Sequence, residues 1–171
     1  MAGGKLEHLG AQLLGKKVID LDSAWKSVQP FLPPSDRHKE VLMAFRGAVV
    51  FDQGAKFTTD EQCPLNDKKG YQSLEVLYGL GKGKNSIEEK VSQYVGELPP
   101  MIIPIGEAPG GNLICVDKAG AVYLWDHESQ RGEGLWRIAS SIDAFIGRLE
   151  PNNTELGSID GIIKSESFLD F

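Results

Sequence analysis

The stretch Ile103–Glu128, IPIGEAPGGNLICVDKAGAVYLWDHE, carries the clearest evidence for the fold of this chain. It contains three short runs rich in β-branched and aromatic residues, which the segments EAPGG and KAG separate. Glycine in such separators permits the positive φ angles that tight turns between antiparallel strands need. We therefore predict an antiparallel three-stranded meander at the centre of a sheet. The run GLWRIA, further along the chain, could add another strand.

Two helices are predicted between residues 19 and 47. In IDLDSAWKSV, apolar residues recur on one side of a helix, and Asp22 or Ser23 is the predicted N-cap. Prolines in QPFLPPSD end that helix, because proline lacks an amide donor and restricts the residue before it. Ser35 or Asp36 then caps a second helix, DRHKEVLMAFRG, which is expected to end at Gly47.

Three further elements follow from local signals. AVVFDQGAKFTT places apolar residues on both sides of Gly54, which predicts a hairpin. SIEEKVSQYVGEL begins with Ser86 and has Glu89 three residues later, the spacing of a capping box at a helix start. SSIDAFIGRLE carries an apolar stripe and predicts a last helix, capped by Ser140 or Ser141.

The order of these elements predicts an α+β fold. Helices, a hairpin, a helix, a meander and a helix follow one another, which differs from the strict strand–helix alternation of a doubly wound fold. The 171 residues, 41% of them hydrophobic, suit one domain with a real core. We expect a single domain with a central, mainly antiparallel sheet over residues 1–150, and a tail or short accessory element over residues 151–171.

Composition narrows the classes of partner. The formal net charge of −6 argues against nonspecific nucleic-acid binding, which needs a cationic face, and suits a basic partner. No apolar run approaches the roughly 20 residues that cross a bilayer, and the N-terminal residues lack the apolar core of a signal peptide. We therefore expect a cytoplasmic protein that binds no membrane.

The cysteines do not form a metal-binding pattern. Cys115 lies in the apolar run NLICV and is expected to be buried, whereas Cys63 precedes a proline in a polar loop. A disulfide between them is the less favoured alternative for a cytoplasmic chain. There is no CxxC and no cysteine–histidine cluster, so no structural zinc site is predicted.

The tripeptide Asp126, His127 and Glu128 resembles the beginning of a catalytic or metal site. Consecutive side chains of a strand point to opposite faces, so the three cannot converge on one metal while the strand stays regular. A second histidine at the helical spacing of HExxH is also missing. We predict the polar end of a strand, with Asp126 or Glu128 bonding to turn amides. A small metal-dependent hydrolase using the trio is the disfavoured alternative.

Two glycine-rich segments superficially resemble phosphate-binding loops. GEAPGGN and the Gly81–Ser86 segment GKGKNS both lack the GxxxxGK[ST] pattern. A lysine-rich glycine loop before a helix could hold an anion weakly, but a solvated connector is the favoured interpretation.

Aromatic residues of the C-terminal half are candidates for core or partner contacts. In AVYLWDHE, Tyr123 and Trp125 share one strand face, and Val122 and Leu124 share the other. Apolar residues on both faces indicate burial on each side, or one face reserved for a partner. Trp136 could be exposed, since tryptophan is enriched in interface hot spots.

The residues and the order of these motifs resemble those of the SUKH superfamily, whose namesakes are fungal cell-wall-synthesis regulators. The similarity is carried by IPIG, GGNLICVD, VYLWDHE and IASSIDAFIGRLE, in this order between Pro99 and Leu149. It implies a single α+β domain without catalytic residues, metal or cofactor. Most bacterial relatives are immunity proteins that bind and neutralise cognate secreted toxins, many of them nucleases, and the fungal branch acts as a regulatory scaffold.

The resemblance therefore implies a non-catalytic protein-binding domain. The favoured function is immunity against a cognate toxin of a bacterial polymorphic or contact-dependent system, and the alternative is a regulatory or scaffold domain that binds a cellular protein. Acidic side chains could mimic phosphates in the basic cleft of a nuclease toxin. The candidate partner-binding residues are Asp117, Trp125, Asp126, Glu128, Glu133 and Trp136.

Overall fold

The structure is a computed structural model that describes residues 2–129 and 133–152. Its helices are α1 (Ala2–His8), α2 (Leu21–Val28), α3 (Asp36–Phe45), α4 (Ile87–Gln93) and α5 (Ile142–Arg148). Its strands are β1 (Ala11–Leu14), β2 (Ala48–Thr58), β3 (Tyr71–Leu77), β4 (Ile103–Glu107), β5 (Leu113–Val116), β6 (Val122–Trp125), β7 (Leu135–Ala139) and β8 (Glu150–Pro151). The tail predicted for residues 151–171 lies, beyond residue 152, outside the described residues.

The strands form one antiparallel sheet. Its spatial order, β1 to β7, follows the chain order, and β8 pairs with β2 beside this path. The predicted meander is confirmed as β4, β5 and β6, and GLWRIA supplies β7. With five helices around this sheet, the predicted α+β fold is confirmed. No described helix has the length and apolarity that crossing a membrane requires.

Strand β5 is buried on both faces. Leu113 and Cys115 pack in a cluster with residues of α2 and α4, whereas Ile114 and Val116 pack with residues of α1 and α5. All four side chains are fully buried, and each buried aliphatic side chain contributes about 1.5–3 kcal/mol relative to exposure. Continuous apolar sequence in LICV therefore reflects a strand covered by helices on each side.

The N-cap of helix α2 lies two or three residues before the predicted one. Asp20, rather than Asp22 or Ser23, is the N-cap, and its carboxylate accepts a hydrogen bond from the Ser23 amide at 3.1 Å. This bond lowers the pKa of Asp20 below its usual value. The segment Asp20–Ser23 contains three candidate caps within four residues, and spacing alone does not select among them.

Helix α3 ends differently from the prediction. Ser35 caps its start as predicted, but Arg46, not Gly47, takes the left-handed conformation at its end, with φ of 59°. Gly47 makes a close backbone contact instead. A Cβ atom on Gly79 would lie 2.0 Å from the carbonyl carbon of Gly47, so the chain just before β2 and the chain just after β3 come this close only because Gly79 has no side chain.

The caps of the two later helices are confirmed. The Ser86 hydroxyl accepts a hydrogen bond from the Glu89 amide at 3.1 Å, and that of Ser141 accepts one from the Ala144 amide at 3.0 Å. In both helices an oxygen of a serine side chain satisfies an amide that lacks a partner within the helix. Helix α4 nevertheless ends at Gln93, five residues before the end of the segment SIEEKVSQYVGEL in which it was predicted.

The hairpin predicted at Gly54 is wrong. Strand β2 runs continuously from Ala48 to Thr58, and its register with β3 shifts between Val50 and Ala55. Gly54, with φ of 68°, lies in this irregular segment and lets the strand bulge instead of reversing. Pairing with β1 before the bulge and β8 after it holds the strand extended.

Both cysteines are free and buried in the described structure. Burial of Cys115 is confirmed, and it raises the pKa of its thiol far above the usual value. Cys63 is also buried although its neighbours in sequence are polar, because it joins the cluster on the α5 side of the sheet. Burial raises the pKa of this thiol too.

We expect Gly79→Ala to destabilise the protein by at least about 3 kcal/mol, because the added methyl group would overlap the backbone of Gly47. Urea unfolding at neutral pH measures the change. Gly83→Ala is the matched control, since a Cβ at Gly83 meets nothing within 4 Å. Equal stabilities of the two variants would contradict the close contact.

The protein should lose stability in mild acid because of His38. Burial lowers the pKa of this histidine from 6.5 to about 4, and the nearby Asp143 offsets only part of that effect. Between these two pH values the unfolded chain binds the extra proton, so stability falls as the pH drops, by up to about 1.4 kcal/mol per pH unit.

Urea unfolding at pH 7 and pH 5 tests this pH dependence. His38→Gln should reduce the difference between the two pH values, whereas His8→Gln, on an exposed face of α1, should retain it. An unchanged difference in His38→Gln would show that other groups cause the acid sensitivity.

Candidate functional site

The predicted trio lies where β6 turns toward β7. Strand β6 ends at Trp125, and the Asp126 carboxylate accepts a hydrogen bond from the Glu128 amide at 2.9 Å. The Asp126 amide donates to the carbonyl of Gly134 at 2.9 Å, which closes the turn. The interpretation of a polar strand end, with Asp126 bonded to a turn amide, is therefore confirmed.

A neighbouring turn holds His127 in place. The Asn112 side-chain oxygen accepts a hydrogen bond from the His127 amide at 3.3 Å and lies 3.2 Å from Nδ1 of its ring. The Asn112 side-chain amide donates to the carbonyl of Pro109 at 3.2 Å. Gly111 lies under the imidazole, where a Cβ would be 3.5 Å from Cε1. The β4–β5 and β6–β7 turns are thus fastened to each other.

We call Asp126–Ser129 together with Glu133–Gly134 the acidic turn. The Ser129 hydroxyl oxygen lies 2.7 Å from the Asp126 carbonyl oxygen and 2.8 Å from that of Glu133, and so links the two arms. The side chains of Glu128 and Glu133 are exposed. Neither forms an ion pair within residues 2–129 and 133–152. The turn therefore presents carboxylates on a hydrogen-bonded backbone.

The trio does not converge on one point. Asp126 bonds to a backbone amide of its own turn, and His127 faces Asn112 in the neighbouring turn. In the part of the chain that the structure describes, no three histidine, cysteine or acidic side chains are grouped so that they could hold a metal ion. This arrangement can accept hydrogen bonds and ion pairs from a basic partner.

Asp117 is not brought together with the acidic turn. It lies at the opposite end of β6, where its carboxylate accepts hydrogen bonds from the Ala121 amide at 2.9 Å and the Tyr123 hydroxyl at 3.0 Å. Desolvation, and then this carboxylate, raise the pKa of the Tyr123 hydroxyl. Asp117 thus organises the β5–β6 turn.

The two candidate tryptophans occupy different environments. Trp125 is 6% exposed and packs edge-to-face on Tyr94, with ring centroids 5.9 Å apart. It therefore supports the sheet beneath α4. Trp136 is only partly buried and lies opposite Leu124, next to the acidic turn in β7. Of the two, Trp136 has side-chain surface available to a partner.

Sequence reasoning missed the segment that covers the outer edge of β7. The amides of Asp60 and Glu61 donate to the carbonyls of Ile138 and Arg137, both at 3.0 Å. The Glu61 carboxylate accepts a hydrogen bond from the Arg137 amide, and Asp60 pairs with Arg148 at 3.0 Å. A covered edge is closed to pairing with another strand. No local pattern signals this contact, because the partners are far apart in sequence.

Asn112 was also missed as a residue that orders the site. Its position after two glycines signals a turn, but its contact with the following hairpin requires the register of β5 with β6. In that register Leu113 lies opposite Trp125, which brings the preceding asparagine next to the residues that follow β6.

The fold agrees with comparisons to known proteins. The sequence model of the SMI1 / KNR4 family (SUKH-1) matches residues 35–148. The chain is also 37% identical over 148 residues to the SPbeta prophage-derived uncharacterized protein YokK of Bacillus subtilis (strain 168), with 78% of this chain and 75% of that protein covered. The chain belongs to the SMI1 / KNR4 (SUKH-1) family, which confirms the resemblance to the SUKH superfamily.

We expect Asn112→Ala to destabilise the protein by about 1–3 kcal/mol, because the half-buried hydrogen bonds to the His127 amide and the Pro109 carbonyl are lost. Thermal and urea unfolding measure the loss. Asn112→Asp is the matched variant, since it keeps an oxygen that can accept from the His127 amide, and it should recover part of the stability. A wild-type stability of Asn112→Ala would contradict the role of this contact between the turns.

Proposed function

We propose that this protein is a non-catalytic immunity protein that binds and neutralises a cognate secreted toxin of a bacterial polymorphic or contact-dependent toxin system. It would act in the cytoplasm of the cell that it protects. Membership of the SMI1 / KNR4 (SUKH-1) family supports this function, and so does similarity to a protein whose name describes it as prophage-derived.

The observation that carries the proposal is the acidic turn. Its backbone is held by internal hydrogen bonds and by Asn112, while Glu128 and Glu133 remain exposed. A binding surface that is already ordered loses less conformational entropy when a partner docks. Carboxylates in a fixed arrangement suit a basic cleft, such as one that binds the phosphates of a nucleic acid.

The net charge of the chain and the partly exposed side chain of Trp136 also support this contact surface. The net charge of −6 favours encounter with a basic partner through long-range attraction. Trp136 offers a partly exposed aromatic ring beside the acidic turn, and such rings often anchor interfaces. We therefore assign the contact to Asp126, Glu128, Glu133 and Trp136.

The other two candidates have lesser roles in this proposal. Trp125 would have an indirect role, because its packing on Tyr94 supports strand β6, which the acidic turn follows. Asp117 would reach the partner only if the interface extends along β6 to its other end.

A binding role fits the described chemistry better than hydrolysis by the trio. General acid–base catalysis needs a base within hydrogen-bond reach of the reacting proton. The nearest partner of the His127 ring is the amide oxygen of Asn112, which orients the ring without relaying a proton. The Asp126 carboxylate, in turn, is occupied by the Glu128 amide.

The experiment is co-expression and co-purification of the tagged chain with the product of a neighbouring toxin gene. We expect a complex and protection of the expressing cell. In Glu128→Gln/Glu133→Gln the affinity should fall at least about tenfold, because close charge pairs at an interface are lost. Glu7→Gln/Glu97→Gln, which neutralises two exposed carboxylates elsewhere, is the matched control and should bind as the wild type does.

Different outcomes test the immunity function and the acidic turn as the contact surface. Absence of both complex and protection would contradict the immunity function for that toxin. Equal affinities of the two double variants would contradict the acidic turn as the contact. Binding that is unchanged between about 50 and 500 mM salt would also contradict an electrostatic contact, since salt screens exposed charges.

A further inference from the structure

A basic cavity of about 560 Å³ lies between two loops, one joining β1 to α2 and the other joining β3 to α4. Lys16 and Lys17 come from the first loop, and Lys82 and Lys84 from the second. The sequence shows these pairs far apart, and the fold places them around one space. Cavities of about 300–1,000 Å³ commonly bind small ligands.

The four lysines have no counterion in the described structure. None of their side chains forms an ion pair or a hydrogen bond with a residue in 2–129 or 133–152. No acidic residue lines the cavity, although acidic residues outnumber basic ones in the chain by 24 to 18. The four lysine side chains are exposed to solvent, and an anion in the cavity would be attracted by all of them.

The loops around the basic cavity are fixed by backbone contacts. The Val18 amide donates to the carbonyl of Arg46 at 2.8 Å, which ties the first loop to the end of α3. The second loop is closed by the Gly79 amide donating to Asn85 at 3.0 Å and by the Ile87 amide donating to Gly79 at 2.9 Å. The GKGKNS segment is therefore tied at both ends and is not a free connector.

The lining indicates the chemistry of a ligand. Lysine ammonium groups bind phosphate as point charges, and glycine allows a ligand to approach the backbone closely. Leu14, Val18 and Leu80 give the same cavity an apolar wall. An adjoining cavity shares Lys17 and Lys82 but carries Asp20 and Glu88, so an anion is expected in the first cavity.

We propose that the basic cavity binds a small organic phosphate that carries at least two negative charges. Its phosphate groups contact the four lysines, and its organic part lies against the apolar wall. This site uses none of the residues of the acidic turn, so phosphate binding and toxin binding can be tested independently of each other.

Isothermal titration calorimetry with inorganic pyrophosphate and with adenosine diphosphate tests the site in the full chain. Both probes are expected to bind at low salt, the nucleotide more tightly because it also covers the apolar wall. Lys82→Gln/Lys84→Gln should weaken binding at least about fivefold. Lys68→Gln/Lys69→Gln, in another exposed turn, removes the same charge and should leave the affinity unchanged.

A second titration distinguishes the source of the phosphate. Co-sedimentation with phosphatidylcholine vesicles containing about 20% phosphatidic acid tests a lipid headgroup. Binding to these vesicles through the same two lysines would support the phosphate site and assign it to lipid. The proposal is overturned if neither probe nor vesicle binds, or if both lysine pairs lower the affinity equally. Binding of a single-stranded oligonucleotide without pyrophosphate binding would overturn it as well.

Discussion

Strand β5 is buried on both of its faces, and this burial constrains the elements that pack around it. Leu113 and Cys115 share one buried cluster with residues of α2 and α4, and Ile114 and Val116 share the other with residues of α5. A strand in this position tolerates no unpaired polar group, because such a group would lose its hydrogen bonds to water without replacement. Polar residues accordingly begin at its two ends, with Asn112 before it and Asp117 after it.

Because the centre of the sheet is apolar, the polar side chains that order its turns lie at the ends of the strands. At one end Asn112 fastens the acidic turn, and at the other Asp117 closes the β5–β6 turn. Both asparagine and aspartate satisfy backbone amides where the strands stop, so the same residues that end the sheet also order its surface. In the proposed function, the packed centre supplies rigidity and the turn supplies charge.

Sequence reasoning succeeded where the signal was local. The glycine-containing separators located the meander, and Ser86 and Ser141 located two helix starts, because each effect acts within a few residues. The family was identified from the same stretch. Sequence reasoning failed at Gly54. The residues around this glycine are compatible with a bulge and with a hairpin, and only the pairing of the strand with β1, β3 and β8 distinguishes the two.

Other features depend on contacts that no local pattern encodes. Strands β1 and β8 have four and two residues, too few for a periodic signal, and exist because β2 offers a free edge. The segment at Asp60 covers β7 through bonds to residues far along the chain. For the same reason, the lysine-rich loop appeared as a connector until the fold placed Lys16 and Lys17 opposite it.

Hydrogen exchange of individual amides, followed by NMR, tests most directly whether the sheet centre orders the acidic turn. We expect the amides of Asp126 and Ser129, both bonded within the turn, to exchange slowly along with those of β5 and β6. Exchange of these two amides at the rate of an exposed loop, while β5 remains protected, would show that the sheet centre does not order the acidic turn.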